Sequence, residues 1–291
     1  MKKEDRGSVI GVVVVVLIGA GLAFAGSQGG HKVSGFPIYA LCIALAFLIQ
    51  WIAFIPSYMN RTEKFYDLSG GITYITVTLL AMLLTPDVDA RSLLLAGIVM
   101  IWAVRLASFL FLRIRAAGED RRFREIKQSF ARFLLAWTLQ GLWVSFSLAA
   151  ALAAITSTLR LDLDLFAWIG AFIWLTGFAI EVTADRQKSA FNAKPENKGK
   201  FISTGLWSWS RHPNYFGEIV LWIGVAVIAL PILQGWQWVT LISPVFIILL
   251  LTRISGIPML ENRADQKWGN EAEYQSYKAR TSVLIPLPPK K

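Results

Sequence analysis

The chain has 291 residues, 55% of them hydrophobic and only 16% charged, with a mean hydropathy of +0.52 and a formal charge of +10. Soluble domains usually carry about a quarter charged residues, so an ordinary soluble enzyme and a disordered chain are both excluded. A single cysteine, Cys42, excludes a disulfide framework or a Cys-ligated metal, and His31 and His212 are too few for a histidine zinc site.

A bilayer core about 30 Å thick needs roughly 20 apolar residues per helix. Reading for such runs gives eight candidates, 8–26, 36–58, 70–86, 92–112, 133–156, 165–183, 216–234 and 239–252, of which the third and the last two are short or Pro-interrupted. The expected fold is therefore an all-α, polytopic membrane helix bundle of about eight spans, with a range of seven to ten. The first run, led by Met1 to Arg6, reads as a retained anchor. Its small residues Ala23, Ala25 and Gly26 also fit a signal peptide. The last two runs hold Pro231 and Pro244, so their boundaries are the least defined.

Sorting the charges by loop gives an orientation. With the N-terminus in the cytoplasm, 25 of the 29 Lys and Arg residues fall in cytoplasmic segments, and Arg105 lies inside the fourth run. This is a positive-inside pattern, and it puts both termini in the cytoplasm. The basic excess in 113–132, 184–215 and 253–291 thus answers to topology and anionic lipid, and no nucleic-acid partner is expected. Segments 184–215 and 253–291 are nonetheless longer than orientation requires. They mix the bases with aromatics, prolines and acids, so chemistry is expected at that face. The chain divides into N-terminal helices 1–130, a candidate substrate half, and a C-terminal part 131–291 that carries the long polar loops.

The glycine motifs of soluble nucleotide-binding folds are absent, since Gly19 and Gly21 sit within an apolar helix. The informative stretch begins at Glu181, Asp185 and Lys188, which share one helix face at the end of a span. Carboxylates there are costly unless paired or hydrated. Arg211-His212-Pro213-Asn214-Tyr215-Phe216-Gly217-Glu218 opens the next span. A half-buried cluster of Lys, Arg, His, Asn and Tyr suits an anionic, partly aromatic ligand such as a nucleotide. The same residues would also serve as interfacial ion pairs bracing two helices, and pattern alone leaves the two readings open. Upstream, Arg61 to Gly71 holds Asp67, Ser69 and the pair Gly70-Gly71, with Tyr74 following. Asp67 and Tyr74 suit an oxygen-bearing substrate, and Asp67 or Ser69 equally suits a helix N-cap. Arg105 is a membrane-depth arginine and a functional candidate, with a structural pair to Asp67 or Glu181 as the alternative. Arg113, Arg115 and the loop from Gly118 to Phe123 continue that basic stretch.

Gly205-Leu206-Trp207 followed by Arg211 to Glu218 resembles the C-terminal signature of the membrane steroid 5-alpha-reductase and sterol C14-reductase superfamily. The whole chain is more closely similar to the DUF1295 family. Supporting matches are Gln187-Lys188 with Phe191, and the tail Glu261-Asn262-Arg263, Trp268-Gly269, Tyr274 and Tyr277, ending Ile285-Pro286. The signature covers about residues 181–286, and the wider resemblance reaches back to about residue 40. Isoprenylcysteine carboxyl methyltransferases and phospholipid methyltransferases share Arg-His-Pro-x-Tyr-x-Gly. Asn214, Glu218 and the Gln187-Lys188 element tilt the match toward reductases.

The resemblance implies an NADPH pocket in the last helices and their loops. Its candidates are Asp185, Lys188, Lys194, Arg211, His212, Asn214, Tyr215, Glu218, Arg263 and Tyr277. Lys188, Lys194, Arg211 and Arg263 would bind phosphate oxygens, and Asn214 the nicotinamide amide. Tyr215 would form an aromatic wall, with Asp185 and Glu218 on ribose hydroxyls or the basic side chains. Steroid 5-alpha-reductases hold the ketone with a Glu on one early helix and a Tyr on the next. Here those places fall near Asp67 and at Trp102, so Tyr74 or Tyr66 would have to supply the hydroxyl. The candidate catalytic residues are Asp67, Tyr74 and Arg105. The expected activity is NADPH-dependent hydride transfer to a polarised C=C bond of a lipid-soluble, steroid-, sterol- or isoprenoid-like substrate drawn from the bilayer. The expected location is the inner membrane of a bacterium or the endoplasmic reticulum of a eukaryote. The alternatives are an S-adenosylmethionine-dependent methyltransferase acting on a lipid or prenylated substrate, and a non-enzymatic lipid-binding protein.

Overall fold

The computed structural model describes residues 3–117 and 123–290. Eight of its helical segments are long and apolar enough to cross a membrane, which makes the chain a multi-pass membrane protein of almost wholly α structure. The chain forms two compact units, one made of Met1–Ala167 with Ile228–Ser243 and the other of Trp168–Val227 with Pro244–Lys291.

The first unit holds α1 (Lys3–Gly26), a two-stranded hairpin of β1 (Lys32–Val33) and β2 (Phe36–Pro37), α2 (Ile38–Met59), α3 (Tyr66–Leu84), α4 (Ala90–Ala117) and α5 (Phe130–Thr156). In the centre stands α5, packed on all four other helices. Its run Leu148 to Ile155 is almost fully buried and mostly alanine. Lipid tails are as apolar as leucine, so helices in a bilayer gain by close approach of small residues rather than by escape from water. Ser129 caps the start of α5, accepting from the Arg132 N–H. At the opposite end of α5, the buried Arg91 is tied down on three sides. It donates to the Ile228 carbonyl at 2.7 Å, the Asp162 carbonyl at 2.7 Å and the Asp164 carboxylate at 2.8 Å.

Two expectations are revised in this unit. The third span begins at Tyr66, four residues before the apolar run, and neither Asp67 nor Ser69 caps it. The residue before the helix is Phe65 and makes no side-chain cap, while the Ser69 hydroxyl turns back to the Tyr66 carbonyl. The glycine pair admits neighbouring helices. A side chain at Gly70 would strike the Gln140 amide, and one at Gly71 would strike Ala107.

The second unit holds α6 (Leu165–Ala193), α7 (Pro213–Ala229), α8 (Ile242–Leu249), α9 (Gly256–Trp268) and α10 (Ala272–Arg280). The apolar part of α6 ends near residue 183, yet the helix runs ten residues further. Between Ala184 and Ala193 the sequence has no Gly or Pro, and Ala, Arg, Gln and Lys sustain helix. Pro213 sits at the first position of α7, where its missing N–H costs nothing. The eighth span is not one regular helix. It passes from a 3₁₀ segment, Gly235–Leu241, through α8 and a π turn, Leu250–Ile254, to α9.

Contact between α6 and α7 is made backbone to backbone. A Cβ built on Gly177 would lie 2.5 Å from the Leu221 nitrogen, and one on Gly217 would lie 2.6 Å from the Glu181 nitrogen. Gly224 repeats this one heptad on, 2.6 Å from the Gly170 carbonyl oxygen and the Trp174 nitrogen. Alanine at Gly177 or Gly217 is therefore expected to force the helices apart and to cost about 1–3 kcal/mol or more. Gly21 and Gly97 have open space around the same position, so alanine there should be neutral or stabilising by up to ~1 kcal/mol through helix propensity. Thermal unfolding of the four detergent-solubilised variants checks both signs.

Candidate functional site

Five stretches of the second unit line a cavity of about 280 Å³. From α6 come Lys188 and Asn192, one helical turn apart. The following loop and the 3₁₀ turn Gly205–Ser208 give Phe201, Ile202 and Trp207. Arg211 and His212 precede α7. Leu260, Glu261, Ala264, Lys267 and Trp268 lie on one face of α9, with Arg263 beside them, and Tyr274 and Tyr277 come from α10.

The Gly205-Leu206-Trp207 turn is fixed to α6 by its own chemistry. Gly205 has a positive φ of 63°, and a Cβ there would sit 2.6 Å from the Gln187 side-chain oxygen. That oxygen accepts the Leu206 N–H at 2.9 Å, and the Trp207 indole donates to the Ala184 carbonyl at 3.0 Å. Lys188 then lies over the Trp207 ring, 4.5 Å from its centroid. Across the cavity Phe201 packs against Trp268, Tyr274 and Tyr277 at centroid distances of 5.8, 5.2 and 5.4 Å. The Tyr277 hydroxyl donates to the Trp207 carbonyl at 2.7 Å, so the aromatic walls are joined to one another.

Glu261 organises the polar side. It accepts from the Arg211 Nη2 at 3.0 Å, pairs with the His212 Nε2 at 2.9 Å and lies 3.7 Å from the Lys278 Nζ. Arg211 Nη1 donates to the Lys278 carbonyl at 2.9 Å. Through one bond from each Nη nitrogen, Arg211 braces α9 and α10 while lining the cavity. Lys188 is half-buried, while Lys200, Arg263 and Lys267 are exposed at the mouth. Burial holds the His212 imidazole below its usual pKa, with Lys188 and Arg211 acting in the same direction and Glu261 opposing them. Burial, and then the hydrogen bond to Asp265, pushes Tyr274 up to about 12, and burial raises Tyr277 as well. Both phenols stay protonated near neutrality.

Of the residues singled out in the sequence, Lys188, Arg211, His212, Arg263 and Tyr277 converge on this cavity. Asp185 and Asn214 form a neighbouring pair, with the Asn214 amide donating to the carboxylate at 3.2 Å. Tyr215 stacks on His212 at 5.7 Å, and Glu218 is half-buried one turn further along α7. Lys194 is exposed at the start of the turn Pro195–Asn197 and does not line the cavity. In the first unit Asp67 lies in the opening turn of α3. Tyr74 is buried edge-on to Trp102 at 5.1 Å, and Arg105 lies 5.6 Å from the Phe109 ring. The Tyr66 hydroxyl donates to the Ala136 carbonyl at 3.0 Å and its ring packs on Phe123 and Trp137. The Gly118–Arg122 loop and the side chains of Arg113 and Arg115 lie outside the described residues.

Sequence reasoning missed Glu261 as a hub, and it missed the Phe201, Trp268 and Tyr274 wall. The available signal was the acid pair Glu261 and Asp265, one turn apart and close to the bases Arg263 and Lys267. Two predictions follow from this geometry. Glu261→Gln should lower thermal stability by about 1–3 kcal/mol, because the half-buried Arg211 loses its anion. The His212 contribution has a defined sign. The folded chain binds the His212 proton less readily than the unfolded chain, so stability is full above about pH 6.5 and falls as pH drops toward the lowered folded value. Unfolding temperatures between pH 5 and 8 should show that loss, and His212→Gln should reduce it.

The chain matches the family described as "Protein of unknown function (DUF1295)" over residues 53–281. It is 35% identical over 72 residues to Steroid 5-alpha-reductase DET2 of Arabidopsis thaliana, covering 24% of each chain. It is 29% identical over 120 residues to 3-oxo-5-alpha-steroid 4-dehydrogenase 1 of Bos taurus, covering 40% of each. It is also 29% identical over 127 residues to the DET2 protein of Gossypium hirsutum, covering 43% of this chain and 44% of that one. The matched stretches thus span less than half the length of these curated relatives. No solved structure matches the chain. A match running from within α2 to the end of α10 takes in the whole cavity just described, and the chain belongs to the DUF1295 family, with a partial likeness to steroid 5-alpha-reductases.

Proposed function

We propose that the protein is an NADPH-dependent membrane reductase acting on a polarised C=C bond of a lipid-soluble, steroid-, sterol- or isoprenoid-like substrate. The observation that carries this reading is the composition of the cavity, a joined aromatic wall lined together with Lys188, Lys200, Arg263 and Lys267. Ligand pockets commonly measure ~300–1,000 Å³, so a cavity of about 280 Å³ suits one nucleotide portion of the cofactor. The residues fit that portion. Phe201 and Trp268 offer ring faces, and Lys188, Lys200, Arg263 and Lys267 offer charge-assisted hydrogen bonds to phosphate oxygens. NADPH, when bound, supplies the hydride.

The chain's own residues do the remaining work. Glu261 and Arg211 hold α9 and α10 so that Arg263 and Lys267 face the cavity mouth. Asp185 orients Asn214 at the start of α7, where its amide would meet the nicotinamide amide, with Tyr215 and Glu218 beside it. Part of the role first given to Arg211 and Lys194 passes to Lys200 and Lys267. In the substrate half, helices before residue 131, Asp67 and Tyr74 would polarise the carbonyl of an enone, and Arg105 would stabilise the negative charge that develops on it. The part from 131 onward supplies the cofactor site. The positive-inside distribution supports cytoplasmic termini and entry of the cofactor from the cytoplasm, with the substrate coming from the bilayer. Membrane lipids are then the protein's standing partners.

Thermal unfolding of detergent-purified protein tests the reading. NADPH at 100 times its Kd should stabilise the fold by about 2.7 kcal/mol, and NADH should be weaker at the same concentration. Stabilisation by S-adenosylmethionine and not by NADPH would overturn the reading. Arg263→Ala and Lys188→Ala should each raise the Kd for NADPH about tenfold, the value of one charge-assisted hydrogen bond. Arg211→Lys should instead lower the unfolding temperature of the unliganded protein.

A further inference from the structure

After α10 the chain runs back across the residues that lead into α7. The Arg211 N–H donates to the Ser282 carbonyl at 2.8 Å, the Ser210 hydroxyl to the Leu284 carbonyl at 2.7 Å, and the Leu287 N–H to the Trp209 carbonyl at 3.1 Å. This tail exposes an apolar row. Val283, Ile285 and Leu287 are 43%, 57% and 53% exposed, alternating with half-buried Leu284 and Pro286, and Trp209 beside them is 47% exposed. The Lys290 N–H donates to the Arg280 carbonyl at 3.0 Å, so two exposed cations lie together at one end of the row.

The place of this row in the fold says what covers it. The span Pro213–Ile232 has 20 residues, which is about 30 Å of helix and the full thickness of the hydrocarbon core. The core therefore ends near Pro213. Trp209 is four residues before it, so it lies within ~14 Å of that edge even if the chain is fully extended. The headgroup layer occupies about 5–8 Å outside the core. Tryptophan, aliphatic side chains and flanking cations are the residues that dwell at this boundary.

We propose that Trp209, Val283, Ile285 and Leu287 dip into the headgroup–acyl boundary of the leaflet next to the start of α7, while Arg280 and Lys290 meet anionic lipid phosphates. The tail is then an interfacial anchor that fixes the end of α10 to the membrane surface. This inference does not depend on the cofactor.

The test uses the full chain with Cys42→Ala, carrying Ile285→Cys or Val283→Cys labelled with an environment-sensitive fluorophore. The control is Glu196→Cys on the turn beyond the end of α6. Proteins are placed in vesicles of phosphatidylcholine, with or without phosphatidylglycerol, doped with shallow-doxyl phosphatidylcholine. Lipid-borne doxyl should quench labels at 283 and 285 several-fold more than the label at 196, and aqueous iodide should do the reverse. Phosphatidylglycerol should deepen the doxyl quenching, and Arg280→Gln with Lys290→Gln should remove that increment. Iodide quenching at 283 and 285 equal to the control would overturn the proposal. Protection from iodide without doxyl quenching would also overturn it, since the row would then be covered by protein.

Discussion

Two helices of the second unit meet with almost nothing between them but hydrogen. Gly177, Gly217 and Gly224 let the backbones of α6 and α7 touch at three levels. In a bilayer such contact is the main attraction open to apolar helices, because burial from lipid gains little and dispersion grows only with close approach. The consequence reaches the site. Asp185 is eight residues beyond Gly177, and Asn214 is three before Gly217, so the same contact that joins the helices brings carboxylate and amide within 3.2 Å. It also sets the end of α6 from which Lys188 and Gln187 work. The glycine of the Arg211–Glu218 signature is thus a packing residue, and the polar residues around it depend on that packing.

Glu261 performs a comparable task with charge. A carboxylate that receives Arg211 and His212 and stands near Lys278 makes one anion answer to three elements. Such a group is unfavourable to half-satisfy and hard to replace. Arg211 and Lys278 are held by Glu261 and Asp265, whereas Lys200, Arg263 and Lys267 stand outside that network. The basic residues of this region thus include Arg211 and Lys278, paired with carboxylates, and Arg263 and Lys267 on the cavity.

The architecture was legible because it follows from hydropathy. Eight apolar runs became eight spans, and errors fell at their ends, where α6 outlasted its apolar part and α3 began before its own. The polar cluster around Arg211 was legible because charged groups at a membrane boundary require explanation. What stayed hidden depended on distance in the fold rather than distance in the sequence. Phe201 meets Trp268 and Tyr274 across some seventy residues, and no local periodicity announces such a wall. The partners of Arg211 were hidden for the same reason, since Glu261 and the Lys278 carbonyl come from elements folded back onto it. Tyr66 and Tyr74 were indistinguishable in sequence. In the fold the Tyr66 hydroxyl donates to the Ala136 carbonyl, and the Tyr74 ring packs edge-on to Trp102.

The π turn Leu250–Ile254 acts on the site at a distance. An α-helix advances about 100° for each residue, so an extra residue taken up in a wider turn rotates everything that follows. The face of α9 that carries Glu261, Ala264 and Trp268 owes its angular phase to this turn and to the break at Ser255. Length in that stretch is consequently fixed to the single residue. The eighth span therefore works as a keyed shaft, whose count of residues decides which side chains the cavity receives.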